Sequence, residues 1–189
     1  MNKKIILTFL YVVLFYLNGF SQNNILTPEN IHPQAKQWVA DDFFLSTTEE
    51  TAPFGNETGR KAFMGFKQWR KTHIYESPVS YLSQFIRRLH YPAFDLETLH
   101  LDKLSQYIAA MPSGAEMLTQ QDNAVIAVGF GQLILEGKIE QELLFLTQIA
   151  LHREILPVVI DHFEADYHAT RREQLTKMLE VIYTISKKE

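Results

Sequence analysis

The chain has 189 residues, with 22 acidic side chains against 18 basic ones and a formal net charge of −4; this balance argues against nucleic acid and against an anionic membrane surface, because phosphate-rich partners recruit clustered Lys and Arg. It holds no cysteine, which excludes disulfides, thiol catalysis and thiolate metal sites. Its length and a hydrophobic content of 46% suit one domain with an apolar core.

Met1–Lys4 is short and basic, Ile5–Leu17 is apolar and uncharged, and Asn18-Gly19-Phe20-Ser21 places small residues where a signal peptidase needs them. That order reads as a secretory signal peptide over residues 1–21, cut between Ser21 and Gln22. A retained anchor is the competing reading, but the apolar run is thirteen residues and a spanning helix needs about 20. The expected mature protein, residues 22–189, is periplasmic or secreted, with no stable membrane anchor after cleavage. Losing Lys3 and Lys4 takes its net charge from −4 to −6.

Residues 22–31 read as a loose tail. His32-Pro33 opens a short helix with Ala35, Trp38 and Val39 inward. Asp41-Asp42 ends it, and Phe43–Thr47 reads as extended, a short strand. Thr48–Thr58 is a loop. Gly59–Thr72 carries Ala62, Phe63, Phe66 and Trp69 at helical spacing. Ser77-Pro78 caps and starts a helix with Tyr81, Leu82, Phe85, Ile86 and Leu89 on one face. Asp102 caps a short helix using Leu104, Tyr107, Ile108 and Met111, closed by Pro112-Ser113-Gly114.

Thr119–Glu136 has almost no polar face, and a helix apolar nearly all round belongs at the centre of a domain. Gly129 and Gly131 weaken that helix, so close packing against a neighbour is expected there. Gly137 ends it. Ile139–Arg153 forms the next helix, with Leu143, Leu146 and Ala150 aligned, and Pro157 breaks the chain. A last helix from about Ala169 carries Leu175, Met178, Leu179, Ile182 and Ile185. The expectation is a mainly α fold: a single helical domain of about seven helices, with a small β element near the N-terminus as an option.

The least generic segment is the loop Glu49–Gly59. Pro53, Gly55, Asn56 and Gly59 restrict or widen the backbone choices of a shaped turn, and Thr58 is placed to cap the helix that follows. Glu50, Phe54, Asn56 and Glu57 are the candidate binding residues on an acidic rim. Asp41, Asp42, Glu49, Glu50 and Glu57 could instead gather around a hard cation, although their spacing matches no EF-hand. The plainer reading, and the favoured one, is a well-built turn with Phe54 plugged into the core. A second cluster offers metal ligands: if the segment is helical, Glu164 and His168 share a face, with Asp161 one turn earlier. Its plainer reading, also favoured, is a solvated helix end. No serine sits in a nucleophile elbow and no glycine loop is built for phosphate. Arg87-Arg88 and Arg171-Arg172 read as solvated faces.

The residues His32-Pro33-x-Ala35-Lys36, Phe43-Phe44, Glu50–Asn56, Gly65-Phe66-x-x-Trp69-Arg70 and Tyr91-Pro92-x-Phe94 together resemble the bacterial YfeS-like family. The resemblance spans His32–Phe94, about a third of the chain. It implies no activity and no catalytic residue. Some relatives carry a Trp-Gly-Arg domain; that tripeptide is absent here, so the resemblance implies no nucleic-acid role.

The functional expectation is a non-enzymatic, extracytoplasmic helical protein that binds another protein and needs no cofactor. The alternative is a metal-binding protein or metal-dependent hydrolase using Asp161, Glu164 and His168. A structural envelope component is the third option.

Overall fold

A computed structural model of the chain describes residue 26 and residues 28–188. The expected signal peptide and its cleavage point lie outside the described residues. Among the described residues there are seven α-helices and no strand: α1 (Glu57–Arg70), α2 (Pro78–Arg88), α3 (Leu101–Ala109), α4 (Gly114–Glu136), α5 (Gln141–Ile155), α6 (Pro157–Ile160) and α7 (His168–Ser186). Two 3-10 turns, Pro28–Asn30 and Asp42–Leu45, precede them.

The long apolar segment forms α4, buried on almost every side, and α1, α2, α3 and α5 pack around it while α7 covers α5. Both glycines serve close contact: a Cβ at Gly129 would lie 2.2 Å from Thr147 Oγ1, and one at Gly131 would lie 2.7 Å from Phe63 Cδ2. At the far end Gly137 takes φ 75°, the left-handed conformation that glycine adopts without a Cβ clash, and its N–H closes the helix on the Leu133 carbonyl.

The N-terminal expectations need correction. Residues 33–38 form turns and not a helix; Ala35 donates to His32 and Trp38 to Ala35, each at 2.8 Å. The His32 N–H is taken by the Ile134 carbonyl at 2.8 Å, and so short a run has too few hydrogen bonds to offset helix nucleation. Ala35 and Val39 are still buried. The expected strand at Phe43–Thr47 is the 3-10 turn Asp42–Leu45, capped by Asp41, which accepts the Phe43 N–H. Phe43 and Phe44 are both buried, whereas strand neighbours point to opposite faces.

Helix ends moved as well. Asn56, not Thr58, caps α1: its Oδ1 accepts the Gly59 N–H at 2.7 Å. Asp102 falls inside the first turn of α3, where its charge faces the positive helix end, and His100 holds the cap position. Pro157 ends α5 and opens α6, a single further turn.

Candidate functional site

The 49–56 loop is built by its own backbone. Ala52 donates to the Glu49 carbonyl at 2.8 Å and Gly55 to the Ala52 carbonyl at 3.1 Å. A side chain at Gly55 would collide with the Glu49 carbonyl, 1.7 Å from its Cβ. Asn56 ties the loop to the helix from both ends of its amide: Oδ1 caps α1, and Nδ2 donates to the Glu50 carbonyl at 3.3 Å. Phe54 is fully buried, its ring centroid 4.5 Å from that of Phe63. It is therefore a core plug that holds the loop, not a side chain offered to a ligand.

The other three candidate binding residues, Glu50, Asn56 and Glu57, line one cleft of about 740 Å³. Its opposite wall comes from the first turns of α4, the end of α2, and the segment just before α7. Phe85, Leu89, Tyr91 and Phe163 supply apolar surface, while Ser113 and Asn123 present polar side chains that make no hydrogen bond among the described residues. Tyr91 donates to Gln120 Oε1, and Gln120 Nε2 donates to Glu116 at 2.8 Å, so one wall is a fixed polar chain. Burial and the nearby Glu116 carboxylate raise the Tyr91 phenol, which keeps it a donor. The Lys61 ammonium, hydrogen-bonded to Glu57 at 2.5 Å, holds that carboxyl below its ordinary range. The lining carries Glu50, Glu57 and Glu116 against Lys61, an acidic balance, together with His162.

The metal alternative loses its geometric premise. Residues 161–167 are turns and irregular chain, and the helix begins only at His168. Asp161 and Glu164 therefore share no helical face with His168, whose Nε2 meets the Phe163 carbonyl at 2.8 Å. The acidic residues near the loop also disperse: Asp41 pairs with Lys177 at 2.7 Å, Glu49 accepts from Gln174 at 3.3 Å, and Glu57 goes to Lys61. Among the described residues no three His, Asp or Glu side chains gather as a metal site.

Sequence reading missed a buried charge cluster beneath the cleft. Asp122, Arg153 and Glu154 are wholly buried and Arg171 is 2% exposed, so Arg171 is not on a solvated face. Arg153 grips Asp122 through Nε and Nη2, with Nε 2.9 Å from Oδ2. Its Nη1 donates to the Thr98 carbonyl at 2.7 Å and the Leu96 carbonyl at 3.2 Å, and its guanidinium lies 4.9 Å from the Phe94 ring centroid. Arg171 pairs with Glu154 through Nη2, donates to Thr51 Oγ1 at 3.1 Å, and stacks 3.8 Å over the Phe163 ring. Thr51 in turn meets the Tyr167 hydroxyl at 2.7 Å, and Tyr167 donates to Gln174. Burial pushes the Asp122 carboxyl up to about 7 against the pull of Arg153, and the adjacent Glu154 carboxyl adds to the rise. A signal for this cluster exists in the sequence: Arg171 stands four residues before Leu175, on the buried stripe of its helix, and Arg153 three after Ala150 on its own.

No known protein family, curated protein or solved structure matches this chain.

Proposed function

We propose that the protein is a non-enzymatic binding domain, acting outside the cytoplasm, whose cleft takes an extended cationic segment of another protein. One observation carries this reading: the cleft joins the shaped loop (Glu50, Asn56, Glu57) to the polar side chains of Ser113, just before α4, and Asn123, within it, and to apolar walls. An extended peptide presents three chemistries. Its backbone amides suit Ser113 and Asn123, its apolar side chains suit Phe85 and Leu89, and its Lys or Arg side chains suit Glu50 and Glu116. Of the three cleft carboxylates, Glu57 pairs with Lys61 and Glu116 accepts from Gln120, while Glu50 is exposed and takes part in no ion pair among the described residues, which leaves it open to an incoming cation. Signal-like residues 1–21 support the exported compartment.

The test is a library of extended peptides, with and without Lys and Arg, titrated against the purified chain by fluorescence anisotropy. Cationic peptides bind, and Glu50→Lys with Glu116→Lys weakens them by about tenfold or more, which corresponds to about 1.4 kcal/mol. These positions are exposed, so the fold survives the change. Equal affinity of parent and double variant, or no binding anywhere in the library, overturns the reading.

A further inference from the structure

α1 ends at Arg70, and the chain turns through residues 71–76 before Ser77 and Pro78 start α2. Arg70 closes that turn from the inside. Its Nη1 donates to the His73 carbonyl at 3.0 Å and to the Glu76 carbonyl, and the Glu76 N–H returns to the His73 carbonyl at 3.3 Å. The guanidinium is itself fixed: the side chain is 11% exposed, Nε lies 2.6 Å from Glu136 Oε1 on α4, and the group sits over the Phe66 and Trp69 rings. The His73 ring stacks on Trp69 with centroids 4.6 Å apart. Between the two clamped carbonyls stand Ile74, 61% exposed, and Tyr75, 96% exposed, the most exposed large apolar side chains among the described residues. Scattered exposed apolar residues are ordinary on a surface. Here a buried arginine holds two adjacent ones on a rigid turn, so the ordering that binding demands is already made, and tyrosine is among the residues that dominate interface energetics.

The turn and the cleft lie at opposite ends of α1. Glu57, its first residue, lines the cleft, and Arg70, its last, holds the turn. The 14 residues of this helix separate the two by about 20 Å at a rise of about 1.5 Å per residue, so the clamped turn does not reach the cleft of its own chain. Their chemistries nevertheless match. The cleft offers about 740 Å³, apolar surface from Phe85, Leu89 and Phe163, and the Glu50 carboxylate, which takes part in no ion pair among the described residues. The turn brings Ile74 and Tyr75 together with the ammonium of Lys71, exposed and likewise in no ion pair among the described residues. Glu76 is the exposed carboxylate of the turn, and the cleft supplies a cation for it in Lys61. The Tyr75 hydroxyl has Ser113 and Asn123 as partners there.

We propose that the Ile74–Tyr75 turn of one copy seats in the cleft of a second copy, so that the chain assembles head to tail. The proposal rests on the binding role given to the cleft, with a lysine-flanked turn of a second copy as the segment bound. Contact between unlike patches leaves a free turn at one end of the assembly and a free cleft at the other, so copies add in a line, or close into a ring where the rotation allows it, and do not stop at a two-fold dimer. One turn in one cleft is a small interface, and interfaces below about 1,200 Å² give weak, reversible association. The apolar pair supplies most of the binding, while the pairing of Lys71 with Glu50 fixes the orientation and weakens with salt.

The test is sedimentation velocity of the exported protein from about 10 µM to about 1 mM, the range that a small interface calls for. The average mass of the parent rises steadily with concentration. Ile74→Ser with Tyr75→Ser, and separately Glu50→Lys with Glu116→Lys, each weaken association by at least about tenfold. All four positions are exposed, so both variants fold, which circular dichroism checks. Mixed in equal amounts, the two variants associate as tightly as the parent but stop at two chains, because each retains one half of the contact. A parent that stays monomeric over this range overturns the inference. Assembly that persists in Ile74→Ser with Tyr75→Ser overturns it too, and assigns the contact to another exposed apolar side chain such as Phe145 on α5. A mixture that fails to associate where the parent does overturns the pairing of turn with cleft. Cationic peptides that bind the cleft of a chain that stays monomeric leave the binding role standing and remove only this inference.

Discussion

Replacing Gly129 by alanine separates local preference from packing, because the two predict opposite signs. Alanine stabilises a helix by about 1 kcal/mol relative to glycine, so an unhindered position in α4 would gain. Here the new Cβ would lie 2.2 Å from Thr147 Oγ1 and 3.0 Å from its Cγ2. Thr147 cannot yield easily: it is fully buried, and its hydroxyl donates to the Leu143 carbonyl at 2.7 Å. Either that hydrogen bond breaks, which costs about 1 kcal/mol, or α4 and α5 separate, and overpacking of this kind costs about 1–3 kcal/mol. After the helix gain is set against these costs, Gly129→Ala is not stabilising and costs the protein up to about 2 kcal/mol. In a Thr147→Ala background the two nearest atoms are gone and only the Cβ remains, at 3.2 Å, so the same change becomes close to neutral. Urea denaturation of the four proteins, followed by far-ultraviolet circular dichroism, gives the coupling directly, expected at up to about 2 kcal/mol. If Gly129→Ala raises the denaturation midpoint in the parent background, the helices are not in the contact described and the reasoning fails.

Asn56→Ala removes the cap of α1 together with the bond to the Glu50 carbonyl, and lowers stability by about 1 kcal/mol, whereas Asn56→Asp retains the cap; thermal melts of the two variants distinguish them. The buried Asp122 has a sign that can be checked: its folded value of about 7 lies above its ordinary 3.8, so between these values the folded state holds a proton that the unfolded state has released. Its contribution to stability is therefore fully present below about pH 4, is lost as pH rises towards 7, and is constant above, with a slope on the order of 1 kcal/mol per pH unit. Urea midpoints across that range test this, and Asp122→Asn should remove the slope.

The helical architecture was legible because apolar periodicity reports burial directly. Residues 119–136 announced a central helix by lacking a polar face, and Gly129, Gly131 and Gly137 marked contact and termination. The short elements were not legible: whether Phe43 and Phe44 lie in a strand or a turn depends on a core that must receive both rings, which no local pattern specifies. Half of the candidate site was readable from the grammar of the loop, including the alternative in which Phe54 is a plug. The rest was hidden, because the facing wall comes from α2, α4 and residues 162–163, which only tertiary packing brings near. The buried charges were the least accessible. Arg153 finds Asp122 31 residues away and Arg171 finds Glu154 17 residues away; their places on the apolar stripes of their helices point them at the core, but no local pattern says which acid each one meets.

The two buried ion pairs have different reasons to be charged, and apolar replacement exposes the difference. Removing one partner of either pair leaves an uncompensated charge in the interior and costs about 3–5 kcal/mol, while replacing both by apolar residues of similar volume is often neutral or better. Arg171 with Glu154 fits that rule. Beyond Glu154, its hydrogen bond goes to a hydroxyl, and Thr51 retains Tyr167 as a partner. Arg171→Met alone should therefore be severe, and Arg171→Met with Glu154→Leu should recover most of the loss. Arg153 with Asp122 does not fit it. The chain between α2 and α3 has no helix to satisfy its carbonyls, and Arg153 supplies the donors to Leu96 and Thr98 that a helix would have supplied. Apolar residues at 153 and 122 orphan both carbonyls, at about 1–3 kcal/mol each. Asp122→Leu with Arg153→Met should thus remain destabilised by several kcal/mol where the other double variant recovers, with the Thr98 amide exchanging faster than in the parent. Equal recovery of the two double variants in urea denaturation would show that Arg153 is only an ion-pair partner, and that the chain between α2 and α3 is held by something else.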